Sequence, residues 1–237
     1  LTSPDSYPKV LVGVVTYDGK HYIFPENYQC ITSFDYPNYD WIIVDNSSND
    51  VYVRKLRREG YKKVHKIKRA GNSRDTLSDS QNYVKNYFVK GDYDYLLMVE
   101  SDLLPPPNTI SRLMSYKLPI VGALYYLSDG VRRVPCIFFT DYKKEHASMG
   151  TRLIRQQEVS KFVGSGLRKV HGMGFGCALI RRDIIKDYNF WTDERFDNKH
   201  SDVYFYMQLQ NRGVPVFVDT DFVVTHIPSK WGDVKDK

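Results

Sequence analysis

The chain has 237 residues, 42% of them hydrophobic, and a formal net charge of +6, which is ample for a buried core. No apolar run approaches the ~20 residues of a membrane span, and no segment is biased enough to read as disordered. Three scattered cysteines, Cys30, Cys136 and Cys177, give neither a disulfide framework nor zinc spacing, so a reducing, cytoplasmic setting is expected.

Leu1 opens no signal-peptide pattern, and a chain without an initiator Met fits a trimmed chain or one domain of something longer. Lys9 to Val15 is a continuous apolar run and predicts a first buried strand, ending in Thr16-Tyr17-Asp18-Gly19. A helix is expected from Pro25, because proline suits a first turn. Asp40 to Val44 predicts a second strand, ending in the turn formers Asp45 to Asp50. A basic helix to Gly60, a third strand over Lys63 to Lys68, and a helix opened by Gly71-Asn72-Ser73-Arg74-Asp75 follow. Tyr95 to Val99 is a fourth apolar strand. It runs into Glu100-Ser101-Asp102 and is stopped by Pro105, Pro106 and Pro107.

Strand and helix alternate with short connections, which predicts an α/β fold with a mostly parallel, Rossmann-like sheet covered by helices on both faces. Right-handed crossovers then put Thr16, Asp45, the loop before Arg74, and the Glu100/Asp102 pair along one crevice. Alternation within a strand points Glu100 and Asp102 the same way. Two carboxylates there repel a bare diphosphate unless a divalent cation sits between them.

The second half is less regular. Pro119 to Tyr126, Val134 to Thr140, Cys177 to Ile180, Val214 to Val218 and Phe222 to Thr225 read as strands, and Ser201-Asp202 opens a helix to about Gln210. Asp141 to Lys161 reads as a polar loop. His171 to Gly176 is a glycine-rich run that opens a strand instead of a helix, so neither phosphate-loop fingerprint applies; close backbone approach to a ligand is its functional reading. With no internal repeat and no linker, one domain over 1–237 is expected, residues 1–102 holding the nucleotide half and 103–237 the acceptor half. Nine basic residues between Arg54 and Arg69 read either as a solvated helix face and edge strand or as a nucleic-acid or membrane footprint.

Seven segments in order, Val-Val-Thr-Tyr-Asp, Val-Asp-Asn-Ser-Ser, Gly-Asn-Ser-Arg-Asp, Val-Glu-Ser-Asp, Gly-Met-Gly-Phe-Gly-Cys, Ser-Asp-Val-Tyr-Phe and Val-Thr-His, resemble the GT-A glycosyltransferases of the family-2 type. The resemblance spans about Lys9 to His226. It implies a nucleotide-diphosphate sugar donor, a UDP- or GDP-sugar, with Thr16 and Asp45 at base and ribose and Arg74 near the diphosphate or sugar. Glu100-Ser101-Asp102 stands in the place of the family's Asp-x-Asp. Asp102 would ligate Mn²⁺ or Mg²⁺ directly, Glu100 through water or the sugar, and His226 would complete the metal site. Asp202 matches the family's catalytic base and implies inversion at the anomeric carbon.

Two departures stand out. Ser201-Asp202 keeps only the second acid of the late acidic pair, and Asn211-Arg212-Gly213 lacks the tryptophan of the family's Gln-x-x-Arg-Trp, which argues for transfer of a single sugar. The acceptor is expected to be a glycan, a protein or a modified nucleic acid. Two alternatives are a nucleotidyltransferase of related topology and a non-catalytic nucleotide-sugar or nucleic-acid binding module. Thr16-Tyr17-Asp18-Gly19 offers no glycine-rich loop for the first, and retention of Asp102, Asp202 and His226 together speaks against the second.

Overall fold

The computed structural model of the protein describes residues 7–128, 133–140, 151–193 and 200–228. In chain order the first half gives β1 (Val10–Thr16), α1 (Phe24–Ile31), β2 (Tyr39–Asp45), α2 (Val51–Arg58), β3 (Val64–Lys66), α3 (Ser73–Lys90), β4 (Tyr95–Glu100) and β5 (Leu103–Leu104). Then come α4 (Thr109–Ser115), β6 (Ile120–Leu124), β7 (Tyr126–Ser128), β8 (Arg133–Pro135), β9 (Ile137–Thr140), β10 (Thr151–Leu153) and α5 (Gln156–Phe162). The last group is β11 (Leu167–Val170), β12 (Gly172–Met173), β13 (Cys177–Arg181), α6 (Arg182–Ile185), α7 (Ser201–Asn211), β14 (Val216–Val223) and β15 (Thr225–His226).

Eight strands form one sheet in the order β11-β14-β6-β13-β4-β1-β2-β3. Strands β3, β2, β1 and β4 are mutually parallel, while β13 runs antiparallel between β4 and β6. The sheet is thus mostly parallel, with β13 and β11 reversed. Alternation along the strands divides the core in two. Leu11, Ile42, Leu96 and Met98 face Val84 and Phe88 of α3 and Phe205 and Leu209 of α7. Val12, Val14, Ile43 and Leu97 face Phe24 of α1, Leu56 of α2 and Ile110 of α4. A strand buried on both faces has no room for polar alternation, which is why β1, β2 and β4 read as unbroken apolar runs.

Several boundaries differ from expectation. The Val134 to Thr140 strand is two, β8 and β9, separated at Cys136, whose N–H donates to Tyr125. The two strands expected after Gly213 are one continuous β14, followed by the short β15. The polar Asp219 lies fully buried in β14 because Arg112 and Tyr116, in and just after α4, bond its Oδ2 at 2.7 and 2.8 Å. The expected loop over Asp141 to Lys161 contains β10 and α5, and its residues 141–150 lie outside the described residues.

The glycine run packs closely against side chains. A Cβ on Gly174 would sit 1.9 Å from Tyr125 Oη, and one on Gly172 would sit 2.9 Å from Tyr206 Cβ. Tyr125 and Tyr206 are both buried, so neither can retreat without opening the core. Gly174→Ala should therefore cost about 1–3 kcal/mol through overpacking. A denaturant titration checks this, and an unshifted midpoint would contradict the packing described.

Candidate active site

The carboxyl ends of the parallel strands bring the first group of residues together. Register pairs Thr16 with Asp45 across β1 and β2, Asp45 with Lys66 across β2 and β3, and Val15 with Glu100 across β1 and β4. Asp45 is fully buried. Its Oδ1 accepts the Ser47 N–H at 3.0 Å and the Ser47 hydroxyl at 2.5 Å, while Oδ2 has no hydrogen-bond partner and faces Lys66 Nζ at 3.7 Å. Thr16 Oγ1 is also buried, with the Tyr52 hydroxyl as its neighbour. Buried polar atoms are almost always satisfied, so the unmatched Asp45 Oδ2 at this strand edge marks a place for a hydrogen-bonding ligand.

The acidic turn after β4 is shaped by a residue that sequence reading passed over. Asn27, fully buried on α1, donates through Nδ2 to the carbonyls of Glu100 at 3.1 Å and Leu103 at 2.7 Å. The short β5–β15 ladder then pairs Leu103 with His226, and the Ile227 N–H donates to the Asp102 carbonyl at 3.0 Å. These links set His226 Nε2 3.2 Å from Asp102 Oδ2.

Glu100, Asp102 and His226 each offer a ligand atom, and the three lie within 4.8 Å of one another. Lys20, in the 3-10 turn Asp18–Lys20 that follows β1, reaches into the same site, and its ammonium donates to Asp102 Oδ2. Sequence reading missed Lys20 as well. Its only signal was position, in the turn after a strand whose end lines the crevice.

The charges fit this geometry. Glu100 is open to solvent on one side, but its carboxyl is packed round by the site. Burial and then the charge of Asp102 push that carboxyl up to about 7, against the pull of His226 and Lys20, with Asp202 adding to the rise. Burial alone would raise Asp102 too, yet His226 and Lys20 hold it below the usual carboxylate range. Burial would lower His226, but its bond to Asp102 and that carboxylate's charge raise it overall. Lys20 is likewise raised, the loss of water being outweighed by Asp102. His226 Nδ1 meets the Tyr126 carbonyl at 2.7 Å and Nε2 meets a carboxylate, so both nitrogens donate and the ring is an imidazolium.

The donor set suits a hard divalent cation. Two carboxylates and an imidazole match Mn²⁺ or Mg²⁺, and the Tyr126 carbonyl holds the ring with Nε2 turned toward Asp102.

Arg74 and Asp202 stand on two helix starts. Arg74 is the second residue of α3, half-buried, and Asn72 caps that helix by accepting the Asp75 N–H at 2.8 Å. Helix α7 starts at Ser201, with His200 at its N-cap. Ser201 is the first helical residue, and its hydroxyl donates to Gln81 Oε1, held there because both groups are buried and need each other. Asp202 is the second, with Oδ1 accepting the Val203 N–H at 2.8 Å.

The basic cluster is broken up by local work. Arg57 donates to the Val64 carbonyl at 2.8 Å, and Lys63 pairs with Asp40 while lying 4.7 Å from the Trp41 ring centroid. Lys66 donates to the Ser47 and Ile67 carbonyls. Three of the cations expected on a nucleic-acid face are thus engaged elsewhere. An open groove of about 690 Å³ between Tyr7, Tyr95 and Arg182 lies at the opposite, amino-terminal edge of β1 and β4. Its arginines are engaged too, Arg181 with Asp183 and Arg182 with the carbonyls of Val89, Gly91 and Tyr93.

No protein-family model and no curated protein matches the sequence. Solved structures do match in fold. S. aureus TarS residues 1–349 in complex with UDP-GlcNAc align over 96% of this chain and 61% of theirs, with TM-score 0.57 and 15% identity. The mannosyltransferase PcManGT from Pyrobaculum calidifontis, in complex with GDP-Man and Mn²⁺, aligns over 95% of this chain and 58% of its own, with TM-score 0.59 and 15% identity. The fold is that of the GT-A glycosyltransferases. The chain spans about three fifths of the length of these two GT-A proteins. Among the described residues no helix is long and apolar enough to cross a membrane, and the three cysteines are free thiols.

Proposed function

We propose that the protein is a metal-dependent glycosyltransferase that moves a single sugar from a nucleoside-diphosphate sugar to an acceptor hydroxyl. The observation that carries this reading is the Glu100–Asp102–His226 cluster at the strand edge that also holds the orphaned Asp45 Oδ2, in a GT-A fold. The bound UDP-GlcNAc and GDP-Man of the two similar structures support the donor class. We take the chain as one catalytic domain that works in the cytoplasm.

In this reading Asp45 Oδ2 accepts N–H groups of the base, Thr16 bonds the base or ribose, and Arg74 steadies the diphosphate or sugar. Asp102 and His226 hold the cation, with Glu100 acting through water or the sugar. When bound, Mn²⁺ or Mg²⁺ supplies Lewis-acid stabilisation of the departing diphosphate. Asp202 takes the proton of the attacking hydroxyl.

A thermal-shift panel of UDP, GDP and their sugars, each with Mn²⁺ and with chelator, tests the reading. A ligand at ~100 times its Kd stabilises by about 2.7 kcal/mol, or roughly 5–10 °C for a chain this size. A shift with one nucleotide series that disappears in chelator is expected. Flat melts throughout, or shifts equal in chelator, would reject metal-dependent donor binding.

The site's charges also fix a pH dependence. A proton and a cation compete for His226 Nε2, and that nitrogen is protonated further up the pH scale than an ordinary histidine. Mn²⁺ affinity should therefore climb between about pH 6 and pH 8, by up to about tenfold per unit while the proton is being displaced. Calorimetry at both pH values reads this directly. An affinity that falls or stays level would remove His226 from the ligand set.

A further inference from the structure

Lys20 places a cation on the oxygen that a metal needs. Its ammonium donates to Asp102 Oδ2, the same atom that faces His226 Nε2. This is no chance reach of a long surface chain. The lysine side chain is only 21% exposed, and the turn that carries it is tied down on both sides. The Asp18 N–H donates to Ser47 Oγ at 2.9 Å, and His21 Nδ1 donates to the Asp18 carbonyl at 2.8 Å. The Tyr17 ring folds over Gly19 so closely that a Cβ there would sit 2.3 Å from it. The Ser47 that anchors this turn also bonds Asp45 Oδ1, so the lysine and the base-reading carboxylate share one framework.

We propose that Lys20 is a tethered cation that holds Asp102 until metal and nucleoside diphosphate arrive together. The proposal rests on the metal-dependent reading above and concerns the order in which the site fills. A metal arriving alone must push the ammonium off Asp102 and then sit beside that displaced positive charge. A diphosphate brings negative charge that the displaced ammonium can follow, on a flexible four-carbon stem. Metal and diphosphate therefore help each other bind, and Lys20 sets much of that coupling. The same device keeps Asp102 and Glu100 neutralised between turnovers.

The test titrates free Mn²⁺ by electron paramagnetic resonance against wild type, Lys20→Met and Lys20→Arg, each alone and with saturating UDP or GDP. Lys20→Met should bind Mn²⁺ alone at least about tenfold tighter than wild type, and its gain in Mn²⁺ affinity on adding nucleotide should shrink at least about fivefold. Lys20→Arg, which keeps the charge, should stay near wild type. Should Lys20→Met melt far below wild type, Lys20→Gln, a neutral donor of similar length, takes its place with the same expectation. Unchanged or weaker Mn²⁺ binding by the neutral variant in the absence of nucleotide would overturn the proposal. So would nucleotide binding that needs Lys20 but no metal, since Lys20 would then be a permanent substitute for the ion. Absence of Mn²⁺ uptake by every variant under every condition is a different failure, that of the metal-dependent reading itself.

Discussion

Asp102→Asn should lower Mn²⁺ affinity at least about a hundredfold and remove metal-dependent donor binding, while the protein stays folded. Asp102 is buried, and its Oδ2 is the atom on which Lys20 and His226 both converge. The amide keeps the shape and one acceptor oxygen but withdraws the charge. The residual cost to folding is limited because His226 can shed its proton once the carboxylate is gone. Calorimetry with Mn²⁺ and a denaturant melt on the same sample separate the two effects. A variant that melts as wild type and binds metal as wild type would take Asp102 out of the site.

The His226–Asp102 pair also dictates where on the pH scale the variant differs in stability. His226 is raised above its ordinary 6.5, so its contribution is complete below 6.5 and fades as pH rises through the folded value. Asp102 is depressed below its ordinary 3.8, so its contribution is complete above 3.8 and fades as pH falls through the folded value. The stability gap between wild type and Asp102→Asn should thus be widest between pH 3.8 and 6.5, close on the acid side, and narrow on the alkaline side to the part that Lys20 sustains.

Much of the fold was legible because β1, β2 and β4 are buried on both faces, and that condition leaves an unbroken apolar run in the sequence. Direction was not legible. The apolar residues of β13 look the same whether the strand runs with β4 or against it, and only pairing decides. Nor was β14 visible as one strand, since Asp219 reads as a break until Arg112 and Tyr116 are seen to satisfy it. In the site, Thr16, Asp45 and Glu100 could be placed together because parallel strands end at one edge. Lys20 and Asn27 could not. Each acts through a contact across at least 73 residues of chain, Lys20 to Asp102 and Asn27 to the carbonyls of Glu100 and Leu103, and neither lies in a periodic pattern. Lys66 was read with the other cations of its run for the same reason, although its register opposite Asp45 brings its ammonium 3.7 Å from Asp45 Oδ2.

Asp202→Asn should reduce turnover by roughly 10² or more and leave donor affinity near wild type. The carboxylate sits in the first turn of α7, where the helix dipole stabilises the ionised form. Its charge is felt at Glu100, so Asp202 lies close to the cluster without belonging to it. That is where a base is wanted: near the sugar, yet off the metal. The asparagine amide can still accept the Val203 N–H that Asp202 Oδ1 now accepts, so that bond at the helix start survives the change. An ionised acid favoured by the helix start is a weak base, which places proton transfer late, as the hydroxyl closes on a sugar already parting from its diphosphate. Attack from the side opposite the leaving group inverts the anomeric centre. NMR of the first-formed product should show the anomeric configuration opposite to the donor's, and steady-state kinetics should show the loss in kcat with donor KM little moved. Retention of configuration, or near-normal turnover by Asp202→Asn, would assign the base to another residue.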